Sequence, residues 1–386
     1  MLALLITLLQ LAGGSASPPP QNATEHRQTG VRSGAVGAAA APRSVITRMT
    51  TNQLAGQRVI YAYAGLQPPP ALMAAIRAGQ AGGVIFFGPN VASRGQIRSV
   101  IRRLQRASLA SPVHARLLML TDQEGGQVRR LPGAPMLSEK QIGASSQAVA
   151  LARSAGSGAA RNLSGVGFNV NLAPVLDVYR RPGNFIDEFQ RSYSDHPRAA
   201  SRLAAAFIAA QQPWGVAATA KHFPGLGPAS RSQNTDFGPV TLPTALGRLR
   251  GVDEAPYRRA IAAGVKLVMS SWAVYPALDP RRPAGLSRAV IGGELRGRLR
   301  FRGVTITDGI DAGAVKPYGA LGRRGLLAAQ AGADLILCAA TEPSLNTPRQ
   351  GRIVLHALAA ALGRHQLRMA AARASAARIL ALRIHS

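Results

Sequence analysis

Eight short apolar runs recur along this chain, each ending in polar or glycine residues, and seven of them are separated from the next by a stretch with helical character. They are RVIYAYAG (58–65), GGVIFFG (82–88), RLLMLTDQEGG (116–126), GFNVNLAPVLDV (167–178), GVAATAKHFPG (215–225), VKLVMSSW (265–272), GVTITDG (303–309) and ADLILC (333–338). Between them lie amphipathic segments such as GQIRSVIRRLQRA and PRAASRLAAAFIAAQQ. Strands that alternate with helices form parallel βαβ units, because a parallel partner is reached only through a crossover. Eight units in a row predict an α/β fold, a closed (β/α)8 TIM barrel forming one domain over residues 45–386. The alternative is an open doubly wound sheet, but no Gly-x-Gly-x-x-Gly turn follows the first run. The tail, RIVLHALAAALGRHQLRMAAARASAARILALRI, supplies closing helices.

Ahead of the barrel, residues 2–13 (LALLITLLQLAG) are apolar but too few to span a bilayer comfortably. The small residues of GSAS and then PPP follow, so residues 1–17 read as a secretory signal. An apolar N-terminus unrelated to export is the alternative. No cysteine follows the run, which argues against a lipoprotein anchor, and a secreted or cell-envelope location is expected. Residues 18–44 are rich in Pro, Gly and Ala and read as a disordered linker with too few apolar groups to bury.

Of the 386 residues 47% are hydrophobic, enough for one large core. The single cysteine, Cys338, excludes an intrachain disulfide and a cysteine metal cluster. The formal charge is +29, carried almost wholly by arginine, since lysine occurs only at 140, 221, 266 and 316. Such a charge attracts polyanions, or it reflects a compositional habit of an Arg-, Ala- and Gly-rich chain. The arginines are dispersed, with neither an RNP-like aromatic motif nor zinc-finger spacing, so no specific nucleic-acid partner is expected.

Charged residues collect where the runs end. TDQEGG gives Asp122 and Glu124, APVLDV gives Asp177, AKHFPG gives Lys221 and His222, and ITDGID gives Asp308 and Asp311. In a barrel these strand ends share one face, where active sites lie. At these residues the chain resembles glycoside hydrolase family three, in particular its single-domain bacterial β-N-acetylglucosaminidases of cell-wall recycling. The resemblance is carried by GGVIFF, TDQEGGQVRRL, NVNLAPVLDV, RSYSDHP, AKHFPGLG, VMSSWAVYPALDP and RGVTITDGI, in family order across residues 45–340.

The resemblance implies a (β/α)8 barrel and a retaining β-glycosidase acting on β-N-acetylglucosaminides from peptidoglycan-type glycan. It places the nucleophile at Asp308 and sugar contacts at Asp122, Arg130, Arg191, Lys221 and His222. Asp177 is read as either a ligand contact or a tie between loops, and Glu124 as support for its turn. With no ligand cluster in the sequence, and two acid/base groups sufficient for a retaining mechanism, neither metal nor organic cofactor is expected.

One family element is missing. The acetylglucosaminidases carry Asp-Ser-His after KHFPGxG, and their loop histidine is the general acid/base. Counted without gaps, those positions here are Ser232, Gln233 and Asn234, and no histidine occurs from 223 to 355. Asp236 is the only carboxylate of the Leu226–Gly238 loop and is the expected substitute, with Asp187 and Glu188 the next in line. With its glycines and small polar residues the loop is expected to be mobile and short of apolar anchors. A catalytically weak carbohydrate-binding barrel and a glycoside phosphorylase are the alternatives that a missing histidine leaves open.

Overall fold

The computed structural model describes residues 45–384, so the signal and linker readings lie outside the described residues. Eight strands pair in parallel and close into a barrel, with the last strand on the first. They are β1 (Val59–Tyr61), β2 (Gly83–Ile85), β3 (Leu118–Thr121), β4 (Val170–Asn171), β5 (Ala217–Phe223), β6 (Leu267–Ser270), β7 (Val304–Gly309) and β8 (Leu335–Cys338). Each lies inside one of the eight predicted runs, and the (β/α)8 expectation holds.

The runs read as continuously apolar because both faces of every strand are covered. Ile60, Leu118, Leu120, Val170, Leu267, Val304, Ile306, Leu335 and Leu337 fill the barrel interior. Their neighbours, such as Val59, Tyr61, Met119 and Val268, pack outward against the helices. Successive side chains alternate between the faces of a strand. Following the inward register toward the C-terminal end of each strand therefore reaches Asp122, just past β3, after Leu118 and Leu120. The same count reaches Lys221 after Ala217 and Thr219, and Asp308 after Val304 and Ile306. The alternation that builds the core also delivers three charged groups to one end of it.

The crossovers are the helices α1 (Pro70–Arg77), α2 (Arg94–Leu109), α3 (Ala148–Ser164), α4 (Pro197–Gln211), α5 (Ala255–Ala262) and α6 (Leu321–Ala331). A wider-wound helical segment, Ala289–Arg298, takes that place between β6 and β7. α7 (Pro348–Gly363) and α8 (Met369–Ile384) follow β8. α2 shows why these sequences fold as they do. Ser93 caps its start, its hydroxyl accepting from the Gln96 amide at 3.1 Å. Ile97, Val100, Ile101 and Leu104 are buried at helical spacing while Arg98, Arg102 and Arg106 stay in water. Truncating Leu104 to alanine would cost about 2–5 kcal/mol. At the opposite end from Asp308, Ile379 and Leu382 of α8 join the interior core. Arg378 and Arg296 reach Asp334, at the start of β8, at 2.7 and 2.6 Å. Among the described residues no helix is long and apolar enough to cross a membrane.

The Leu226–Gly238 loop departs from expectation. Leu226, Ala229 and Thr235 are buried. The Gly313 and Ala314 amides donate to the Asp236 and Thr235 carbonyls at 2.7 and 3.0 Å. The loop approaches its neighbours so closely that a Cβ on Gly227 would fall 1.8 Å from the Val178 carbonyl oxygen. Its anchors are few in apolar surface but supplied by backbone bonds, which composition does not reveal.

Candidate active site

The seven residues expected to act in catalysis or sugar contact, Asp122, Arg130, Arg191, Lys221, His222, Asp236 and Asp308, line one cavity of about 360 Å³ at the C-terminal ends of the strands. They come from the ends of β3, β5 and β7 and from the loops after β3, β4 and β5. Ile85, Leu172, Met269 and Leu337 form part of the remaining wall.

The polar floor is a chain of ion pairs. Lys221 Nζ lies 2.7 Å from both Asp122 Oδ1 and Glu124 Oε1. Glu124 receives Arg191 through two hydrogen bonds, Nε at 2.9 Å and a terminal nitrogen at 3.0 Å. The fork of the guanidinium matches the carboxylate and fixes its plane. Burial alone would raise the Glu124 carboxyl, but Arg191 and Lys221 outweigh it and hold the group at about 2. Burial likewise opposes the Lys221 charge, and Asp122 and Glu124 reverse the effect, so its pKa is raised. Both cations therefore stay charged inside a closed network.

His222 is aimed by Asp177. Its Nδ1 is 2.7 Å from Asp177 Oδ2, which leaves Nε2 toward Arg191 at 3.4 Å. Asp177 is wholly buried and also accepts from the Leu226 amide at 2.7 Å. Of the two readings open for Asp177, the tie between loops is the observed one. Glu124 does more than support its turn, because it couples the strand-end lysine to an arginine 67 residues away. Nothing local in the sequence points to that pairing.

Asp308, at the end of β7, and Asp236, in the loop after β5, both line the cavity. The Gly309 amide donates to Asp308 Oδ1 at 2.7 Å, and the Gly309 carbonyl accepts from the Trp272 indole at 2.8 Å, so the turn after β7 is fixed. The Asp236 side chain accepts no hydrogen bond from protein among the described residues. Asn234 makes the local turn instead, accepting from the Asp236 amide at 2.8 Å. Burial first, then the nearby Asp308 carboxylate, push the Asp236 carboxyl up to about 6, against the pull of Arg191 and His222. Asp187 and Glu188 are engaged elsewhere, Asp187 with Lys140 and Glu188 with Arg231, each at 2.6 Å. Asp311 pairs with Arg324 at 3.5 Å. None of these three lines the cavity. Sequence reasoning missed Phe189 and Phe237, which do; for Phe237 the available signal was an aromatic directly after an acid in an otherwise small and polar loop.

A (β/α)8 barrel that presents three carboxyl groups, Asp122, Asp236 and Asp308, and a set of fixed cations to one cavity has the makings of a glycoside hydrolase. The model of the glycosyl hydrolase family 3 N terminal domain matches residues 49–382. The chain is 45% identical over 330 residues to an uncharacterized secreted glycosyl hydrolase of Arthroderma benhamiae, covering 85% of this chain and 92% of that one. It is 33% identical over 286 residues to a β-hexosaminidase of Thioalkalivibrio sulfidiphilus, covering 72% and 78%. Among solved structures it is similar to a family 3 β-N-acetylglucosaminidase from Paenibacillus, with a TM-score of 0.81 and 34% identity. That match covers 87% of this chain but only 62% of the longer Paenibacillus chain. The chain belongs to glycosyl hydrolase family 3, and it is a glycoside hydrolase.

Proposed function

We propose that this enzyme is a retaining β-N-acetylhexosaminidase that acts on amino-sugar glycan outside the cytoplasm, with Asp308 as nucleophile and Asp236 as general acid/base. The observation that carries the reading is the pair itself. Asp308 and Asp236 face one cavity, the first in a fixed turn and the second raised to about 6 by burial and by its partner. The acid whose pKa is raised suits the donor of a proton to the leaving oxygen, and the one fixed in the turn after β7 suits the nucleophile. Asp308 forms the bond to the anomeric carbon as Asp236 gives its proton to the departing oxygen. Water then enters, Asp236 takes its proton, and the ester to Asp308 breaks.

Asp122, Lys221, His222, Arg191 and Arg130 hold sugar hydroxyls in this reading. Arg130 supports it, because its Nε is buried and finds no hydrogen-bond partner among the described residues. The amino-sugar preference draws on the names of the bacterial relatives, and export on the apolar N-terminal run and the name of the fungal one.

The experiment is hydrolysis of aryl β-N-acetylglucosaminide beside aryl β-glucoside, with NMR of the first-formed product and peptide mapping after trapping with a fluorinated glycoside. Faster turnover of the N-acetylglucosaminide, a β-anomer formed first and a label on Asp308 are expected. A faster glucoside rejects the sugar, an α-anomer rejects the double displacement, and a label elsewhere rejects Asp308.

A further inference from the structure

Single exposed hydrophobic side chains are common and mean little. Phe237 differs, because it is 80% exposed and still lines the cavity that holds Asp236 and Asp308. Phe189, 41% exposed, lines it too, from the loop after β4. Neither ring hangs on an unsupported strand of chain. Phe189 meets the buried Phe185 edge-on at 6.4 Å. Glu188, its neighbour, pairs with Arg231 of the Phe237 loop at 2.6 Å, which ties the two loops to each other. The Phe237 amide donates to the Asn234 carbonyl at 3.2 Å, and the preceding carbonyl is held by Gly313.

Burial ranks the cavity by depth. Lys221 and His222 at the floor are 2% and 4% exposed, Asp308 and Asp236 lie between, and the two phenylalanines are outermost. The floor offers charged groups for hydroxyls, and the mouth offers aromatic faces. A pyranose has both kinds of surface, with hydroxyls at its edge and C–H groups on its faces, and aromatic rings pack against the latter. In the hydrolase reading Asp236 gives its proton to the leaving oxygen, and Phe237, the next residue in the chain, lines the same cavity and is far more exposed.

We infer that Phe189 and Phe237 form a leaving-group subsite that takes a β-linked pyranose unit by its apolar face, so that the enzyme prefers glycan to sugars bearing a small aglycone. The inference rests on the hydrolase reading of the same cavity. The test compares kcat/KM for the β-1,4-linked disaccharide of N-acetylglucosamine and for the β-glycosyl fluoride of the same sugar, whose leaving group is too small to reach the mouth. In Phe237→Ala and in Phe189→Ala the disaccharide-to-fluoride ratio falls about tenfold, the scale of one lost aromatic contact. Phe237→Trp restores it. A ratio unchanged in both alanine variants overturns the subsite while leaving the hydrolase reading standing. Wild-type protein that turns over neither compound overturns the hydrolase reading, and the subsite with it.

Discussion

Asp177 Oδ2 lies 2.7 Å from His222 Nδ1, while Oδ1 of the same carboxylate accepts from the Leu226 amide at 2.7 Å and from the His222 amide at 3.3 Å. One buried side chain thus sets the imidazole's direction and the entry of the loop that carries Asp236. Substitution by alanine leaves three donors without their acceptor, each orphaned buried group costing about 1–3 kcal/mol. Asp177→Ala is expected to lower the melting temperature and raise KM together. Asp177→Asn, which keeps the volume and one acceptor oxygen, should recover much of the stability but little of the KM. Differential scanning calorimetry beside steady-state kinetics checks both, and a stable variant with unaltered KM would contradict the assignment.

Lys221 neutralises two carboxylates at once, and it is almost wholly buried. Lys221→Met leaves Asp122 and Glu124 side by side with only Arg191 for compensation. Removing one partner of a buried pair costs about 3–5 kcal/mol, more than the intact pair itself contributes. The denaturation midpoint should fall accordingly in urea. It should recover partly at low pH, because without Lys221 burial raises the Glu124 carboxyl, which can then take up a proton and lose its uncompensated charge.

The eight strands were legible because parallel barrel strands are apolar on both faces and end abruptly in charge. Asp122, Lys221 and Asp308 were legible as strand-end residues by the same rule, and period-two counting from Leu118, Ala217 and Val304 would have placed them inward. What the sequence concealed is pairing across the barrel. Glu124 meets Arg191 67 residues on and Lys221 lies 99 residues from Asp122, distances that the side-by-side pairing of β3, β4 and β5 makes local. The anchoring of the Leu226–Gly238 loop is concealed for a related reason. Its holding bonds run through backbone groups of Gly313 and Ala314, and backbone bonding leaves no signature in residue type. Asp187 and Glu188 looked available as acids because their partners, Lys140 and Arg231, are likewise remote in sequence.

Asp236 links catalysis to stability. Its folded pKa of about 6 lies above the usual 3.8, so the folded state holds this proton more tightly than the unfolded chain does. The resulting stability is fully present below the unfolded value and is lost as pH rises through about 6. Asp236→Asn cannot ionise and should melt higher than wild type at pH 8, with a smaller difference at pH 4. If Asp236 is the acid, as proposed, wild-type kcat/KM on the disaccharide should also fall as pH rises through about 6. Parallel melts and pH–rate profiles test the two together, and an asparagine variant less stable than wild type at pH 8 would refute the raised pKa.

Gly313 controls where Asp236 stands. Its amide donates to the Asp236 carbonyl at 2.7 Å, and a Cβ built on it would fall 2.1 Å from the Phe237 carbonyl oxygen and 2.2 Å from the Phe237 carbonyl carbon. Those are backbone atoms and cannot rotate aside, so in Gly313→Ala the loop itself must retreat. Retreat carries Asp236 away from Asp308 and toward water, and both changes relieve what raises its pKa. A displacement of about 1 Å can cost on the order of 100-fold in rate. The expected outcome is a large loss on the disaccharide, a smaller loss on the glycosyl fluoride, whose departure needs little protonation, and a pH–rate limb moved to lower pH. Combining the substitution with Asp236→Asn separates a positional effect from general damage. If Gly313 acts through Asp236, adding Gly313→Ala to Asp236→Asn costs little further activity on the disaccharide, because the group it displaces has already lost its proton. Losses that simply multiply in the double variant would show that Gly313 serves the fold and not the acid.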